Sequence, residues 1–322
     1  MPQWLNYVTF PFLSGFMLFA GVLLGFAGAA AAFIVKKRVA KAGANIGAVT
    51  GGLFVLLSAA PLPAWLYGLW FLVLASCLVL ANTGKQRLRG ALAILVGVSV
   101  LTVAQEIPWH IPPAIPYPES GVMYTVGDSL SIGADRQELN WPEQLGALAG
   151  LSARNHAFGG AKVASAQSNA ERIGDDAALI ILEIGGNDLL YGTPIPDFEA
   201  SLRTMLETVT SHACPVVLVE LPLPPFHNRY GSVQRRLAME FDVVLVPKNV
   251  LARVITTPGA TSDGLHLTHA GHRQFAEALW ALRAGTAPST SSAAPRAALS
   301  APSLPTANRP SRGLSTAGSS RQ

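Results

Sequence analysis

The chain has 322 residues, half of them apolar, which is enough for one catalytic core of ordinary size with sequence left over at both ends. Its net charge of +4 averages three unlike regions. Residues 1–105 contain seven cations and no acid, and residues 286–322 contain four arginines and no acid, which leaves 12 basic against all 19 acidic residues in the middle. An acidic middle argues against an enzyme of nucleic acids.

Four apolar runs in residues 1–105 predict a transmembrane module of about four helices. The first run carries no charge and exceeds the roughly 20 residues that a bilayer requires. The runs cover residues 8–35, 46–60, 62–81 and 90–104. A single long, broken helix over 46–81 is the alternative for the middle pair, but Pro61-Leu62-Pro63 favours a tight turn between two spans.

The positions of the cations predict the orientation of these spans. The cations follow the first and third runs: Lys36, Lys37, Arg38, Lys41, Lys85, Arg87 and Arg89. Because basic loops stay cytoplasmic, both termini are expected outside the cytoplasmic membrane, in the periplasm of a Gram-negative cell. A cleaved signal peptide is excluded because the first run is too long and its cations follow it.

Two further segments have distinctive compositions. Residues 106–121 form a Pro-rich linker, and its stretch 111–118 predicts a stiff, extended spacer that lifts the following domain off the last span. Residues 285–322 contain Ser, Ala, Pro, Thr and Arg without periodicity, which predicts a disordered tail.

Between linker and tail, residues 122–284 alternate strand and helix patterns. Continuous apolar runs predict strands at 122–126, 178–182, 215–219 and 243–246. Helical spacing marks 198–209, 232–241 and 270–282, and Asn140 with Glu143 predicts a capping box that opens a helix through 145–148. This alternation indicates an α/β domain whose parallel sheet carries helices on both faces and ligands at the carboxyl ends of its strands.

Four short motifs in this domain lie just after predicted strands or in loops. Together they supply a nucleophile, donors for an oxyanion, and a base with an orienting carboxylate, which is the set that acyl transfer through a serine requires. They are Gly127-Asp128-Ser129-Leu130, Phe158-Gly159-Gly160, Gly185-Gly186-Asn187-Asp188 and Asp263-Gly264-Leu265-His266.

Ser129 is the candidate nucleophile because it directly follows the first predicted strand. His266 is the candidate base, since Asp263 precedes it by three residues on one loop and Thr268 then predicts the cap of the next helix. Asp128 is adjacent to Ser129, but adjacent side chains seldom point the same way. We therefore expect Asp128 to brace the turn through backbone hydrogen bonds.

The order and type of these motifs resemble the SGNH (GDSL) hydrolase family from about Val122 to Arg283. The resemblance implies a flavodoxin-like three-layer α/β/α sandwich and a catalytic triad at Ser129, Asp263 and His266. The branch with periplasmic thioesterase/lysophospholipase and arylesterase enzymes is the most similar, on residues 127–133, Trp141-Pro142 and 185–192. The membrane module departs from that branch and ties the active site to a membrane surface.

The resemblance also implies three oxyanion donors. They are the backbone N–H of Ser129, a backbone N–H of the second motif, and the side-chain amide of Asn187. Gly160 is favoured over Gly159 for the second position by counting from Asn155.

The sequence-based prediction is a membrane-embedded serine esterase acting on acyl esters of a lipid or an acylated envelope glycan. The alternatives are an O-acyltransferase that uses the same residues on an envelope polysaccharide, and a non-catalytic membrane scaffold. No nucleic-acid partner is expected because the middle of the chain is acidic, and no metal because no residue cluster has metal-ligand spacing. No cofactor is expected either, since Gly185-Gly186 lacks the later glycine of a dinucleotide-binding motif. A disulfide between Cys77 and Cys214 is implausible on topology. Protein partners are not predicted.

Overall fold

The computed structural model describes residues 9–83, 85–133 and 139–284. The segment predicted to be disordered, 285–322, lies outside the described residues.

Four N-terminal helices are each long and apolar enough to cross a membrane. They are α1 (Met17–Ile34), α2 (Arg38–Leu57), α3 (Ala64–Thr83) and α4 (Lys85–Glu106), and a 3₁₀ turn at Ile107–His110 follows the last. Because α2 and α3 are separate, with Pro61 and Pro63 between them, the alternative of one broken helix is wrong. Helix α2 begins eight residues before the predicted run, since 38–45 mix cations with helix-compatible alanines.

Glycines allow α1 and α2 to pack with their backbones close together. A Cβ atom on Gly51 would lie 2.2 Å from the backbone nitrogen of Gly25, and one on Gly28 would lie 2.3 Å from that of Ala48. Contact at this range needs small residues, as is common between membrane helices. Elsewhere in the bundle the buried Trp70 donates its indole N–H to Ser99 Oγ at 3.1 Å.

The domain that follows the linker contains a five-stranded sheet of order β2-β1-β3-β4-β5, and every neighbouring pair is parallel. The strands are β1 (Val122–Gly127), β2 (Ser152–Asn155), β3 (Ala177–Glu183), β4 (Val216–Val219) and β5 (Val244–Val246). The four predicted strands are confirmed. Strand β2 was missed because this short edge strand is largely polar and half exposed.

Helices cover both faces of the sheet, as the alternating pattern predicts. They are α5 (Trp141–Ala149), α6 (Val163–Ala170), α7 (Gly186–Leu190), α8 (Ile195–Thr210), α9 (Asn228–Glu240), α10 (Lys248–Ile255) and α11 (His269–Trp280). The capping box of Asn140 and Glu143 is confirmed, with both hydrogen bonds at 3.1 Å. The Thr268 cap is confirmed as well, since its hydroxyl accepts from the N–H of Gly271 at 3.2 Å.

Successive residues of each strand enter opposite core layers, as strand geometry requires. On one face Ile180 and Leu218 pack with Phe198 of α8, and on the other Ile181 and Val217 pack with Trp141 of α5. The fold is therefore a flavodoxin-like three-layer α/β/α sandwich preceded by four apolar helices. In this strand order the ligand site is expected between the ends of β1 and β3.

The prediction that the Pro-rich linker lifts the domain away from the last span is wrong. Ile115 of the linker is fully buried, and its N–H donates to the carbonyl of Leu282 at 2.7 Å. The linker thus lies along the domain, and the domain sits directly on the helix ends. Proline content indicated a stiff segment but gave no information on what that segment packs against.

Four buried charged side chains join the helices to the domain. Arg235 donates to both carboxylate oxygens of Glu106, at 2.7 and 2.9 Å, and to Glu220 at 2.6 Å. Lys248 lies 3.6 Å from Glu106, and its ammonium donates to the carbonyl of Ala59. We call these four residues the junction cluster. Two carboxylates balance two cations, and each side chain is at most 5% exposed.

The junction cluster lies at one end of the helix bundle. Gly15 before α1, Ala59 between α2 and α3, and Glu106 at the end of α4 all lie beside Lys248. The basic segments that follow α1 and α3 therefore lie at the opposite end of the helices. The domain thus lies at the end of the helices opposite the basic segments, which is the end where the charge pattern predicts it.

Replacing Glu106 with Gln is expected to destabilise the full chain by about 3 to 5 kcal/mol, because two buried cations would then face a single carboxylate. The measurement is the thermal unfolding midpoint of the detergent-solubilised protein, followed by circular dichroism. Arg203→Gln is the matched control, since Arg203 pairs with Glu240 on the surface where water screens the charges. Equal midpoints for the two variants would contradict a structural role for the junction cluster.

Candidate active site

Ser129 follows β1 and opens a 3₁₀ turn, Ser129–Ser131. In the part of the chain that the structure describes, its hydroxyl has no hydrogen-bond partner. Its N–H belongs to the first turn of a helix, where backbone donors have no acceptor within the helix. Asp128 braces the turn as predicted, because its Oδ1 accepts from the N–H of Leu130 at 2.9 Å.

Gly127, the last residue of β1, has no room for a side chain. A Cβ atom on Gly127 would lie 2.4 Å from Ser131 Oγ. That hydroxyl in turn donates to Glu183 at the end of β3, at 2.7 Å. The Ser129–Ser131 turn, called the nucleophile turn below after the predicted role of Ser129, is therefore held between the ends of β1 and β3.

Asn155 ties the second motif to the nucleophile turn. Its Nδ2 donates to the carbonyl of Ser131 at 2.6 Å, and its Oδ1 accepts from the N–H of Ala157 at 3.0 Å. Asn155 entered the sequence prediction only as a counting reference, and this contact was not predicted. The signal available in the sequence was an Asn four residues before the Gly159-Gly160 pair.

Gly160 adopts a positive φ of 74°, which favours glycine, whereas Gly159 does not. Within the described ranges no backbone acceptor engages the N–H of Gly160. This N–H is therefore available as a donor, as the prediction for Gly160 requires.

Asn187 lies buried at the start of α7, and both hydrogens of its amide are engaged. Nδ2 donates to the carbonyl of Ala161 at 3.0 Å and to Asp128 Oδ2 at 3.2 Å. Its neighbour Asp188 accepts from the N–H of Val163 at 2.8 Å and so caps α6. The first three motifs are thus connected by direct hydrogen bonds.

His266 and Asp263 form a direct pair on the loop before α11. The distance from His266 Nδ1 to Asp263 Oδ2 is 2.6 Å, and Asp263 Oδ1 accepts from the N–H groups of Leu265 and His266 at 2.9 and 2.8 Å. The hydrogen bond from His266 and these two backbone bonds hold the pKa of Asp263 well below its usual range. Both side chains are about half exposed, at 47% and 52%.

Packing of α11 against α5 fixes the helix that follows this loop. In the described part of the chain, the contacts of His266 do not include a hydrogen bond to Ser129. The Trp141 and Phe275 rings meet edge to face with centroids 5.0 Å apart, and the N–H of Trp141 donates to His272 Nδ1 at 3.2 Å. His272 is therefore a packing residue, and burial lowers its pKa to about 4. The charge of His266 reaches the carboxyl group of Asp128, the residue before Ser129.

Two buried acids lie beneath the nucleophile. Burial raises the pKa of Asp128 to about 6, against the opposing effects of the Leu130 N–H and His266. Burial and the charge of Asp128 together raise the pKa of Glu183 well above its ordinary value. Glu183 was missed by the sequence analysis, although an acid that ends an otherwise apolar strand is an unusual residue to bury. Among the described residues, no group of three or more acid, His or Cys side chains is arranged to hold a metal ion.

Comparison with known proteins finds the same region of the chain. The family model described as GDSL-like Lipase/Acylhydrolase family matches residues 125–274. Thioesterase 1/protease 1/lysophospholipase L1 of Escherichia coli (strain K12) is 29% identical over 92 residues, which are 27% of this chain and 44% of the relative. This chain therefore spans less than half the length of that relative.

An arylesterase of Vibrio mimicus is 28% identical over 158 residues, which are 45% of this chain and 78% of the relative. Among solved structures, that of TesA aligns with a TM-score of 0.45 and 25% identity over 50% of this chain and 97% of its own. The esterase AlinE4, described as an SGNH-hydrolase, aligns with a TM-score of 0.40 and 28% identity over 50% and 93%. Through residues 125–274 the chain belongs to the GDSL-like lipase/acylhydrolase family.

Proposed function

We propose that the protein is a membrane-anchored serine esterase that hydrolyses acyl esters through a covalent acyl-enzyme. The observation that carries this proposal is the pairing of His266 with Asp263 at 2.6 Å, with the charge of His266 acting on Asp128, the residue before Ser129. An imidazole held by a carboxylate in one tautomer is the base that activates a serine. The names of the thioesterase and arylesterase relatives are consistent with the same chemistry.

In the acylation step, Ser129 Oγ bonds to the acyl carbon while His266 takes the hydroxyl proton. The resulting tetrahedral intermediate collapses, its bond to the alcohol oxygen breaks, and His266 returns the proton to the departing alcohol. Asp263 stays ionised throughout, because three hydrogen bonds already stabilise its negative form. Its carboxylate keeps the imidazole oriented and stabilises the transient imidazolium.

Three donors are proposed for the negative oxygen that forms in this step. The N–H groups of Ser129 and Gly160 need no rearrangement, because no helical or loop acceptor competes for them in the described chain. The Asn187 amide must first release one acceptor, and the longer bond of 3.2 Å to Asp128 is the weaker of its two. A well-aimed donor of this kind is worth about 3 to 4 kcal/mol.

Hydrolysis is favoured over transfer to a sugar by the exposure of the base. His266 and Asp263 are about half exposed, so water reaches the imidazole without displacing protein. In the second step His266 takes a proton from this water, whose oxygen bonds to the acyl carbon. The bond to Ser129 Oγ then breaks and His266 returns its proton to that oxygen, which releases the acid and restores the hydroxyl.

A neutral Glu183 suits this chemistry. A negative charge beneath the nucleophile turn would oppose the negative oxygen of the intermediate. Burial and Asp128 favour the protonated form of Glu183, which still accepts the hydrogen bond from Ser131. We assign Glu183 as a positioning residue that holds the nucleophile turn without adding charge.

The proposed location is the cytoplasmic membrane, with residues 1–105 as the membrane module, 122–284 as the catalytic domain and the domain on the extracytoplasmic side. Support comes from the four apolar helices and from the position of the domain at the end of the bundle opposite the basic segments.

Fluorophosphonate labelling tests the nucleophile and the base. We expect Ser129→Ala to abolish labelling and ester hydrolysis, and His266→Ala to slow both by about 10²- to 10⁴-fold. His212→Ala is the matched control, because His212 precedes β4 at the opposite end of the sheet and is expected to leave labelling intact. Full labelling of the His266 variant would rule out His266 as the base.

Glu183→Gln tests the neutral acid. Because the folded-state pKa of Glu183 is raised, the wild-type protein loses stability as pH rises above the ordinary glutamate value of about 4.3. Glutamine stays neutral, so the variant is expected to match the wild type near pH 5 and to exceed its thermal midpoint at pH 8, with hydrolysis retained. Glu183→Ala, which strands the Ser131 hydroxyl, is expected to be less stable at both pH values. A pH-independent difference for Glu183→Gln would contradict a raised pKa.

Alkaline phosphatase fusions test the orientation. A fusion after Gly285 is expected to be active, since the enzyme works only outside the cytoplasm, and a fusion to a chain truncated after Thr83 is expected to be inactive. The reverse result would place the catalytic domain in the cytoplasm.

A further inference from the structure

The carboxyl end of the sheet, where the catalytic motifs lie, is also the end that contacts the helix bundle. The N–H of Leu223, in the loop after β4, donates to the carbonyl of Leu13 at 3.4 Å. Asn228 donates to Tyr67 Oη at 3.1 Å, and Lys248 follows β5 directly. The loops after β4 and β5 therefore rest on the bundle.

All five strands are parallel, so Ser129 after β1 lies at this same end of the sheet. Strand β1 is two positions from β4 in the sheet order, which is a lateral offset of roughly 10 Å at about 4.8 Å per strand. The nucleophile is thus displaced sideways from the contact with the bundle. If the bundle spans a bilayer, the neighbouring surface below the nucleophile is lipid.

Exposed apolar side chains lie in the segments that follow β2, β3 and β4 at this end of the sheet. Leu190 and Tyr191 follow the Asn187 motif and are 59% and 70% exposed, and Phe226 in the loop after β4 is 69% exposed. Phe158, directly before Gly159, is also exposed. We call these four residues the apolar rim. Large apolar side chains grouped at such exposure mark an interaction surface.

Contacts between these loops place the rim beside the bundle. The hydroxyl of Tyr230 donates to the carbonyl of Thr193, which connects the segment after Tyr191 to the start of α9. In the same helix, Gly231 lies against Pro61 of the bundle, where an added Cβ atom would come within 2.7 Å of the Pro61 ring. The rim is therefore continuous with the contact between domain and helices.

Phe226 provides a second, independent observation. Its φ is +70°, a conformation that L-residues rarely adopt and that is costly for a bulky side chain. The turn closed by the N–H of His227 and the carbonyl of Pro224, at 3.3 Å, holds this backbone. A strained backbone that keeps a phenyl ring out of the core indicates that the ring has a binding partner.

Lys162 adds a cation to the rim. Its ammonium lies 5.2 Å from the centre of the Tyr191 ring, next to the Gly160 loop. A lysine beside aromatic side chains matches the membrane interface, where aromatic rings lie at the level of the headgroups and lysine reaches the phosphates.

We infer that the apolar rim lies on the outer surface of the bilayer and that the active site takes its acyl ester from a lipid of that leaflet. This inference rests on the proposed function, because it requires the four helices to span the membrane and Ser129 to be the nucleophile. It adds the partner surface and the substrate class. The junction cluster keeps the domain in this position, since it fixes the loops after β4 and β5 on the helix ends.

Lipid contact is tested without any measurement of catalysis. Single cysteines replace Tyr191, Phe226 or Leu148 in a full-length Cys77→Ala, Cys214→Ser background and carry an environment-sensitive fluorophore. The proteins are placed in phosphatidylglycerol/phosphatidylcholine nanodiscs with and without nitroxide-labelled lipid. Leu148 is the control, because it is 43% exposed but lies at the end of α5, far from the carboxyl end of the sheet.

The labels at 191 and 226 are expected to be quenched several-fold more strongly by the nitroxide lipid than the label at 148. Equal quenching at all three positions would overturn the proposed lipid contact. A variant that fails to fold is recognised by loss of its helical circular dichroism, and Phe158→Cys then replaces it.

The substrate class is tested with two esters. Tyr191→Ser and Phe226→Ser are expected to lower, at least threefold, the ratio of hydrolysis of a long-chain ester dissolved in the nanodisc to hydrolysis of water-soluble p-nitrophenyl acetate. Leu148→Ser is expected to leave this ratio unchanged. An unchanged ratio in all variants, or cleavage of acetylated polysaccharide in place of the nanodisc ester, would overturn the lipid substrate. If the wild type cleaves none of these esters, the proposed function fails, while the quenching result still decides the lipid contact.

Discussion

The arrangement of the molecule depends on four charged side chains that are buried where the helices meet the catalytic domain. Glu106, Glu220, Arg235 and Lys248 are almost free of contact with water, and each cation is hydrogen-bonded to a partner. Burying such charges is costly unless every one is compensated, so this arrangement tolerates few alternatives. An apolar contact of similar size would allow the domain to slide or rotate. The charges have these partners when the domain holds this position, and that position determines where the proposed active site lies relative to the helices.

Within the domain, the parallel sheet brings together the residues proposed to be catalytic. Ser129, Gly160, Asn187 and His266 are separated by many residues, but each follows a strand or enters a helix at the carboxyl end. Hydrogen bonds from Asn155 to Ser131 and from Asn187 to Asp128 then hold the neighbouring loops together. The strand order places this group between β1 and β3. At this point the chain stops adding strands on one side of β1 and continues on the other, which leaves a crevice.

Local sequence patterns were sufficient to predict most of the helices and strands and the four motifs, but not the contacts between them. The apolar runs of β1, β3, β4 and β5 and the caps at Asn140 and Thr268 carry their own signals, because each depends on neighbours within a few residues. Arg235 and Lys248 look like ordinary surface charges in the sequence, since their shared partner Glu106 lies over 100 residues away. The prediction that the Pro-rich linker lifts the domain off the last span failed for the same reason. The stiffness of the linker is a local property, whereas the position of Ile115 depends on its contact with Leu282, far along the chain.

The position of the domain bears on the exposure of His266, the proposed base. Interactions between charges are weak in water and strengthen where water is excluded, so a half-exposed His266–Asp263 pair is not at its most effective when the site is open to solvent. A lipid surface against Phe158, Tyr191 and Phe226 would cover one side of the site without closing the path of water to His266. The membrane would then act as part of the active site wall, which explains why a hydrolase domain is fixed rigidly to its helices when a flexible tether would suffice for anchoring alone.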